Sequence, residues 1–170
     1  MKYIILLFIV VFGNKLYLST IRESKYSIYR METTPVKSWT EYLASQGIRF
    51  AAVPTAQMFK ETGYLTSKIY RENKNPFGMK YSNRGYAKGI RNGHAWYNSI
   101  NDAIKDYKAW QDDRIKAFEA KYHPITSNEE YINMLDSVVI GGKDYRYAED
   151  LDYTNSLRSK YVPEVIKFNY

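Results

Sequence analysis

Apolar side chains recur at helical spacing in two long stretches of the chain. The clearer one covers residues 100–120, where Ser99 stands at the N-cap position and the apolar residues mark one face. The other covers residues 51–61, with Pro54 in its first turn, where a proline is tolerated. The pattern predicts an amphipathic α-helix over each stretch.

Shorter helices are indicated by capping boxes, in which a Ser and a following Glu satisfy the free amides of a helix start. One box begins at Ser38 and predicts a short helix that ends at Gly47. The other begins at Ser127 and predicts a helix that ends at Gly141-Gly142. A last helical stretch covers residues 152–166. The side chains expected to face inward from the two capped helices are Trp39, Tyr42, Leu43, Tyr131, Met134, Leu135 and Val138.

The helical period is absent between residues 71 and 98, where Asn, Gly and Pro punctuate the chain. Short alternating segments at residues 79–81 and 94–97 predict a small twisted hairpin with long loops. By strand alternation His94 and Trp96 share one face, and Tyr97 faces the other. The order of helices, one hairpin and further helices predicts an α+β domain of two lobes.

The N-terminus is typical of a targeting segment. Lys2 precedes an apolar run at residues 3–12, which suits a signal-peptide core and is shorter than the ~20 residues that span a bilayer. No Ala-x-Ala cleavage site follows, so a retained anchor that contacts the membrane is also consistent with the run. We expect export to the periplasm, the cell envelope or the outside, with residues 1–36 as signal or anchor plus spacer. Residues 37–170 are then one folded domain, and a buried strand or helix is the alternative for the apolar run.

Composition excludes several kinds of site. The 170 residues contain no cysteine, which excludes disulfides, thiolate metal sites and cysteine nucleophiles. The two histidines, His94 and His123, are far apart in sequence, and we expect neither a metal nor another cofactor. The net charge of +7 suits a polyanionic partner, but the basic residues form no run and no nucleic-acid-binding motif, so we expect no nucleic acid partner. The 18 tyrosines suit a core with polar ring tips, or a groove that stacks sugars.

Glu61 stands at the end of the helix predicted over residues 51–61, just before Gly63. The C-terminal end of a helix carries partial negative charge, which should raise the pKa of a carboxyl group placed there. A raised pKa is what a general acid needs at neutral pH. The alternative is a solvated surface glutamate.

Three ordered motifs make the sequence recognisable. Residues 61–67 read Glu-Thr-Gly-Tyr-Leu-Thr-Ser, and residues 72–80 read Glu-Asn-Lys-Asn-Pro-Phe-Gly-Met-Lys. A third block at residues 147–153 reads Tyr-Ala-Glu-Asp-Leu-Asp-Tyr. Together they closely resemble the glucosaminidase family of peptidoglycan hydrolases (glycoside hydrolase family 73), and the resemblance covers about residues 38–166.

The resemblance implies a lysozyme-like fold, with a mainly helical lobe and a small β-hairpin lobe around a glycan cleft. It also implies hydrolysis of the β-1,4 bond between N-acetylglucosamine and N-acetylmuramic acid in the glycan strands of peptidoglycan. Glu61 would be the general acid, because a glycosidic oxygen is a poor leaving group unless it is protonated. Tyr147 would lie near this acid and support activity; a buried tyrosine bonded to backbone is the alternative.

The motifs also suggest which residues contact substrate. The candidate substrate-binding residues are Tyr64, Asn75, Phe77, Gly78, His94, Trp96 and Tyr97. For Phe77 a place in the core is the alternative, and for Gly78 a simple turn. Asp150, Asp152 and Tyr153 are expected to cap and pack the last helix.

The sequence departs from the family pattern at the second catalytic group. Two carboxylates usually flank the scissile bond, and family members often place the second in the hairpin lobe. Here residues 73–101 contain neither Asp nor Glu, and Asp102 has a helix-capping explanation. Substrate assistance, in which the N-acetyl oxygen of the sugar attacks the anomeric carbon, would need no second carboxylate. Tyr64 replaces the more usual Trp, and Leu151 the usual Pro.

Other readings of the same residues remain open at this point. A lytic transglycosylase or muramidase also needs one essential glutamate on a similar fold. A non-catalytic cell-wall-binding or virion structural protein could keep the fold without the chemistry, although the intact Glu61 and Tyr147 argue against it. We expect a monomer, and a compact single domain suits a phage endolysin or a small secreted hydrolase.

Overall fold

The computed structural model describes residues 39–136, 139–140, 143–144 and 146–168. The predictions for residues 1–36, the Ser38 cap, Val138 and Gly141-Gly142 lie outside this part of the chain. Within it, no helix combines the length and the apolar character that crossing a membrane requires.

Helices dominate the described residues, and two small hairpins interrupt them. In chain order the elements are α1 (Trp39–Ser45), α2 (Ala52–Thr62), α3 (Lys68–Asn73), β1 (Gly89–Arg91), β2 (His94–Trp96), α4 (Ile100–Lys121), α5 (Asn128–Asp136), β3 (Val139–Ile140), β4 (Lys143–Asp144), α6 (Tyr153–Ser156), a π-helical segment (Leu157–Tyr161) and α7 (Val162–Phe168). Strand β1 pairs antiparallel with β2, and β3 with β4. The predicted α+β, lysozyme-like class is confirmed.

The main predicted helices are present with the predicted starts. Helix α4 begins after Ser99, whose hydroxyl accepts the Asp102 N–H at 3.1 Å. At the start of α5 the Ser127 hydroxyl accepts the Glu130 N–H at 3.2 Å, and the Glu130 carboxylate accepts the Ser127 N–H at 3.1 Å. The predicted helix starts are therefore correct, and the serine and glutamate side chains form the capping hydrogen bonds on which the predictions were based.

Helix α2 is the centre of the helical part. Both of its faces are buried, because α1, α3, α5, the π-helical segment and α7 all pack against it. Val53, Ala56 and Met58 are fully buried, and the polar Gln57 is buried among them. A helix surrounded in this way has little freedom to shift, so the residue at its end is held firmly.

Three elements differ from the sequence prediction. The short helix α3 was not expected; Ser67 caps it by accepting the Tyr70 N–H at 3.2 Å. The first hairpin strand is β1 rather than residues 79–81, because Asn92 and Gly93 form the turn with φ of 51° and 71°, the left-handed pair typical of two-residue hairpin loops. Helix α5 ends at Asp136, short of the predicted glycines, and the second hairpin follows it.

Two asparagines attach the β1–β2 hairpin to the rest of the domain. The Asn75 amide donates to the carbonyls of Met79 (2.9 Å) and Ala95 (3.0 Å) and accepts the Met79 N–H at 3.0 Å. Asn73 donates to the Arg91 carbonyl at 2.5 Å, and its own carbonyl accepts the Tyr97 N–H at 2.9 Å. Because these bonds are buried, the hairpin is fixed relative to the segment that contains residues 75–79.

A buried ion pair holds the other side of the hairpin. Asp106 on α4 is fully buried and accepts from Arg84 at 2.6 Å and from the Tyr97 hydroxyl at 2.7 Å. Both carboxylate oxygens are therefore satisfied, as a buried charge requires. Asp106 therefore has a structural role.

Candidate active site

Glu61 lies in the last turn of α2, where the chain leaves the helix sharply. Gly63 adopts a left-handed conformation (φ 54°), and its N–H donates to the Phe59 carbonyl. The buried Thr62 hydroxyl accepts the Leu65 N–H at 2.8 Å and donates to the Met58 carbonyl. The predicted position of Glu61 at a helix end is therefore confirmed, and local bonds fix the backbone on both sides of it.

Burial is the main influence on the Glu61 carboxyl, and it raises the pKa of that group above its ordinary value. The Tyr153 hydroxyl and the charges of Lys60, His94 and Lys80 oppose this effect. The predicted direction is correct, but the predicted cause was the helix end, and the larger cause is removal from water. None of these four polar neighbours is a carboxylate.

Gly78 lies directly against the Glu61 carboxyl. Its backbone is left-handed (φ +64°), and a Cβ atom built on it would lie 2.6 Å from the Glu61 Oε2 atom and 3.2 Å from its Cδ atom. A side chain at this position would therefore require the Glu61 carboxyl to shift, and the left-handed backbone also favours glycine. In the structure the group next to this glycine is the carboxyl of Glu61, and the predicted contact of Gly78 with substrate stays a prediction.

Tyr147 is also close to this site. Its hydroxyl donates to the Phe77 carbonyl at 2.5 Å, one residue before Gly78. Its ring packs edge-on against Trp110, with centroids 5.0 Å apart, and against Tyr153 at 5.4 Å. Burial first, and then the charge of Glu61, raise the pKa of the Tyr147 hydroxyl. The structure thus brings the two predicted catalytic residues together, with Tyr147 bonded to the segment that touches the acid.

The hairpin contributes His94 and Trp96, which lie on one face of β2 as predicted. Both are half-buried, and Ala95 between them is fully buried on the other face. The His94 ring donates through Nδ1 to the Asn92 carbonyl at 2.9 Å, and it is close enough to Glu61 to affect the pKa of that carboxyl. The Arg91 guanidinium lies 4.5 Å from the centre of the Trp96 ring.

Three candidate substrate-binding residues lie in the interior. Asn75 and Phe77 are fully buried, and Tyr97 is 2% exposed. The Asn75 amide is used within its own loop, Phe77 stacks on Tyr107 with centroids 4.0 Å apart, and the Tyr97 hydroxyl binds Asp106. These side chains offer no surface to a glycan, so the prediction that they bind substrate is corrected to a structural role.

Tyr64 packs onto the C-terminal part of the domain. Its ring stacks on Phe59 at 5.6 Å and lies 5.9 Å from the Tyr161 ring, and its hydroxyl donates to Glu164 on α7. These contacts join the turn after Glu61 to the π-helical segment and α7. They give Tyr64 a structural function, and its predicted contact with substrate stays a prediction.

Sequence analysis missed the part that Tyr153 and Lys80 play at this site. Tyr153 was assigned to the packing of the last helix, and it is indeed buried, but its hydroxyl also lowers the pKa of the Glu61 carboxyl. The available signal was its place as the second tyrosine in the block at residues 147–153. Lys80 follows the Phe-Gly-Met run and is one of the bases that lower the Glu61 pKa.

Gly78→Ala is predicted to displace the Glu61 carboxyl and to lower the free energy of unfolding. The left-handed backbone alone should cost about 1–2 kcal/mol with a side chain, and the clash with Oε2 adds to this cost. The matched control is Gly85→Ala, since Gly85 has φ +89° and nothing within 4 Å of an added Cβ. Urea unfolding should show that Gly78→Ala costs more than Gly85→Ala in the wild-type background.

A double-mutant cycle separates the clash from the strain. In a Glu61→Ala background the excess cost of Gly78→Ala over Gly85→Ala should disappear, because the carboxyl is gone. An excess that persists there would show that Glu61 is not the neighbour that excludes a side chain at Gly78.

The comparison with known families agrees with this arrangement. The sequence profile of the glucosaminidase family, described as mannosyl-glycoprotein endo-beta-N-acetylglucosaminidase, matches residues 36–162. The match includes Glu61, Gly78, Tyr147 and Tyr153. No curated protein and no solved structure is significantly similar to the chain. The family resemblance predicted from three short motifs is confirmed, and the chain belongs to the glucosaminidase family.

Proposed function

We propose that the protein hydrolyses the glycan strands of peptidoglycan at the β-1,4 bond between N-acetylglucosamine and N-acetylmuramic acid, with Glu61 as general acid. One observation carries the proposal: a half-buried carboxyl whose pKa is raised by burial faces a hydroxyl and three bases. Membership of the glucosaminidase family supports the class of substrate.

The surroundings of Glu61 suit both protonation states that a general acid must adopt. Burial favours the protonated form, which can donate its proton to the glycosidic oxygen as the bond to the anomeric carbon breaks. The carboxylate that remains is stabilised by the Tyr153 hydroxyl and by Lys60, Lys80 and His94. Activity should therefore fall as pH rises through the pKa of Glu61.

We propose that the second catalytic group is the N-acetyl oxygen of the substrate. Strands β1 and β2 carry no acidic residue. Asp102 accepts from Ser99 at the start of α4, and Asp106 is bonded to Arg84 and Tyr97, so neither acid is free for catalysis. Attack by the N-acetyl oxygen would form a cyclic intermediate that water then opens.

Substrate assistance predicts that the product keeps the β configuration at the anomeric carbon, because two displacements occur on the same centre. Proton NMR of the products during the first minutes of digestion, before mutarotation, measures this configuration. Predominant α product at early times would mean direct attack by water, and would require a base that this proposal lacks.

The N-terminal segment and the net charge suit action at the cell wall. We propose that residues 1–36 direct export or anchor the protein, since the apolar run at residues 3–12 follows Lys2. The net charge of +7 would attract the protein to an anionic wall.

Glu61→Gln is predicted to lower the release of reducing ends from purified peptidoglycan by about 10²–10⁴-fold, because Gln cannot donate the proton. Mass analysis of products reduced with borohydride identifies the bond, since a glucosaminidase leaves reduced N-acetylglucosamine. Reduced N-acetylmuramic acid would indicate a muramidase, and an anhydro sugar a lytic transglycosylase. Wall binding without any new reducing ends from the wild type would indicate a binding module.

Glu61→Gln is also predicted to raise stability at neutral pH. Because burial raises the folded-state pKa of Glu61, its contribution is fully present below the unfolded value near 4.5 and is lost as pH rises through the folded value. Gln has no charged form and avoids this loss. Urea unfolding from pH 4 to 8 should show the variant more stable at pH 8 and the difference gone near pH 4. The exposed Glu149→Gln is the control, and a difference that does not vary with pH would contradict the prediction.

A further inference from the structure

A chain of buried hydrogen bonds leads from the backbone of Arg49 to the Tyr153 hydroxyl, which neighbours the Glu61 carboxyl. Its side chains come from four elements that are distant in sequence, and their exposed fractions range from 0% to 4%. In order from Arg49 they are Gln111, Tyr131, Tyr107, Gln57 and Tyr153. Since buried polar groups are costly unless they are bonded, each member depends on the next.

The direction of this chain is fixed at its far end. The Arg49 N–H donates to Gln111 Oε1 at 2.8 Å, and Gln111 Nε2 donates to the Arg49 carbonyl at 2.9 Å. A backbone N–H can only donate and a carbonyl can only accept, so the Gln111 amide has one possible orientation. Its Nε2 also donates to the Tyr131 hydroxyl at 3.0 Å.

The direction passes from one group to the next. The Tyr131 oxygen accepts from Gln111, and its hydrogen is then available for the Tyr107 oxygen at 2.9 Å. Tyr107 in turn donates to Gln57 Oε1, which leaves Gln57 Nε2 to donate to the Tyr153 oxygen at 3.4 Å. The reverse direction would aim two hydrogens at the Tyr131 oxygen and leave the Tyr131 hydrogen without an acceptor in the chain.

The chain therefore ends with the hydrogen of Tyr153 facing Glu61. The Tyr153 oxygen already accepts from Gln57, so its hydrogen is left for another acceptor, and the Glu61 carboxyl is the neighbouring group that this hydroxyl influences. We propose that Tyr153 is a positioning residue for the acid: the polarised chain makes its hydroxyl a donor to one Glu61 oxygen, so that the proton of the acid resides on the other oxygen. This inference rests on the proposed function of Glu61, and it specifies which of the two carboxyl oxygens serves the substrate.

The consequence is an acid that needs no rearrangement during the reaction. Before proton transfer, Tyr153 donates to the Glu61 oxygen that carries no proton, and the other oxygen carries the proton. After transfer the same bond stabilises the carboxylate, so the donor is in place in both states, as electrostatic preorganisation requires.

Other charged and titratable groups also face Glu61, and the test must separate them from Tyr153. Lys60 belongs to the same helix and lies 5.0 Å from the centre of the Tyr153 ring. Lys80 comes from the segment after Gly78, His94 from β2 and Tyr147 from the segment before α6. The substitutions chosen below leave all four of these in place.

The first test is Tyr153→Phe, which removes the donor and keeps the ring. Without the bond the charged form of Glu61 is less stable, so the pKa of its carboxyl should rise. This is measured without substrate, by ¹³C NMR titration of carboxyl-labelled glutamate, with the Glu61 signal assigned by its loss in Glu61→Gln. Turnover on peptidoglycan should fall about tenfold or more with little change in KM, because the bond acts on the proton donor rather than on binding.

The matched control is Tyr42→Phe, which removes a hydroxyl that bonds the Asn101 side chain at 2.5 Å, between α1 and α4. It should leave both the Glu61 titration and the turnover unchanged. An unchanged Glu61 titration in Tyr153→Phe would overturn the proposal, whatever happens to activity.

The second test concerns direction, and uses Tyr107→Phe. This change leaves Gln57 Oε1 without its donor, so the Gln57 amide should turn and accept the hydrogen of Tyr153. Glu61 would then lose its donor although Tyr153 is intact, and its pKa should rise as in Tyr153→Phe. The double variant should show no further rise. A Glu61 titration unaffected by Tyr107→Phe in a folded protein would overturn the fixed direction.

The two proposals fail separately. If the wild type releases no reducing ends from peptidoglycan but both titrations shift as expected, the proposed function is wrong and the positioning of Glu61 stands. If peptidoglycan is hydrolysed through Glu61 but the titrations do not shift, the function stands and the role of Tyr153 is wrong.

Discussion

The contact between the Glu61 carboxyl and the backbone of Gly78 is the constraint on which the rest of the site depends. A carboxyl can be held out of water at this point only because α2 is surrounded by helices and because Gly78 has no side chain. The segment that carries Gly78 is held in turn by Tyr147, whose hydroxyl binds the Phe77 carbonyl, and by the Asn75 bonds within the loop. Contacts within the protein thus determine the environment of the acid.

The high tyrosine content follows from the same requirement. A core built from Phe and Leu alone would bury the acid but would offer nothing to stabilise it once ionised. Tyr107, Tyr131 and Tyr153 fill the core with their rings and also carry a line of hydroxyls to the carboxyl. Of the two roles that the composition allowed, a core with polar ring tips and a sugar-stacking groove, these three tyrosines have the first.

The features predicted correctly from the sequence include the starts of α4 and α5 and the end of α2, which depend on hydrogen bonds between residues close in sequence. Capping residues located the start of α4, and the helical spacing over residues 51–61 with the following Gly63 placed Glu61 at a helix end. The β1 strand was missed although Asn92-Gly93 marks its turn, because three-residue strands give too short an alternation to stand out. The sequence pattern did not establish the burial of Phe77 and Tyr97 or the approach of Tyr153 to Glu61. Each depends on contacts between residues that are distant in sequence, and hydrophobic periodicity carries no information about such contacts.

The absence of a carboxylate among the polar groups that most affect Glu61 suits the general acid that we propose. Burial already raises its pKa, and a second negative charge nearby would raise it further and would oppose ionisation after proton transfer. The Tyr153 hydroxyl and the three basic side chains lower the pKa of Glu61, because they stabilise its charged form. A neutral nucleophile such as an N-acetyl oxygen adds no negative charge beside the acid. In the proposed mechanism the hairpin without acids and the hydrogen-bond chain that ends at Tyr153 are therefore two parts of one electrostatic arrangement, in which a single half-buried carboxyl changes its charge.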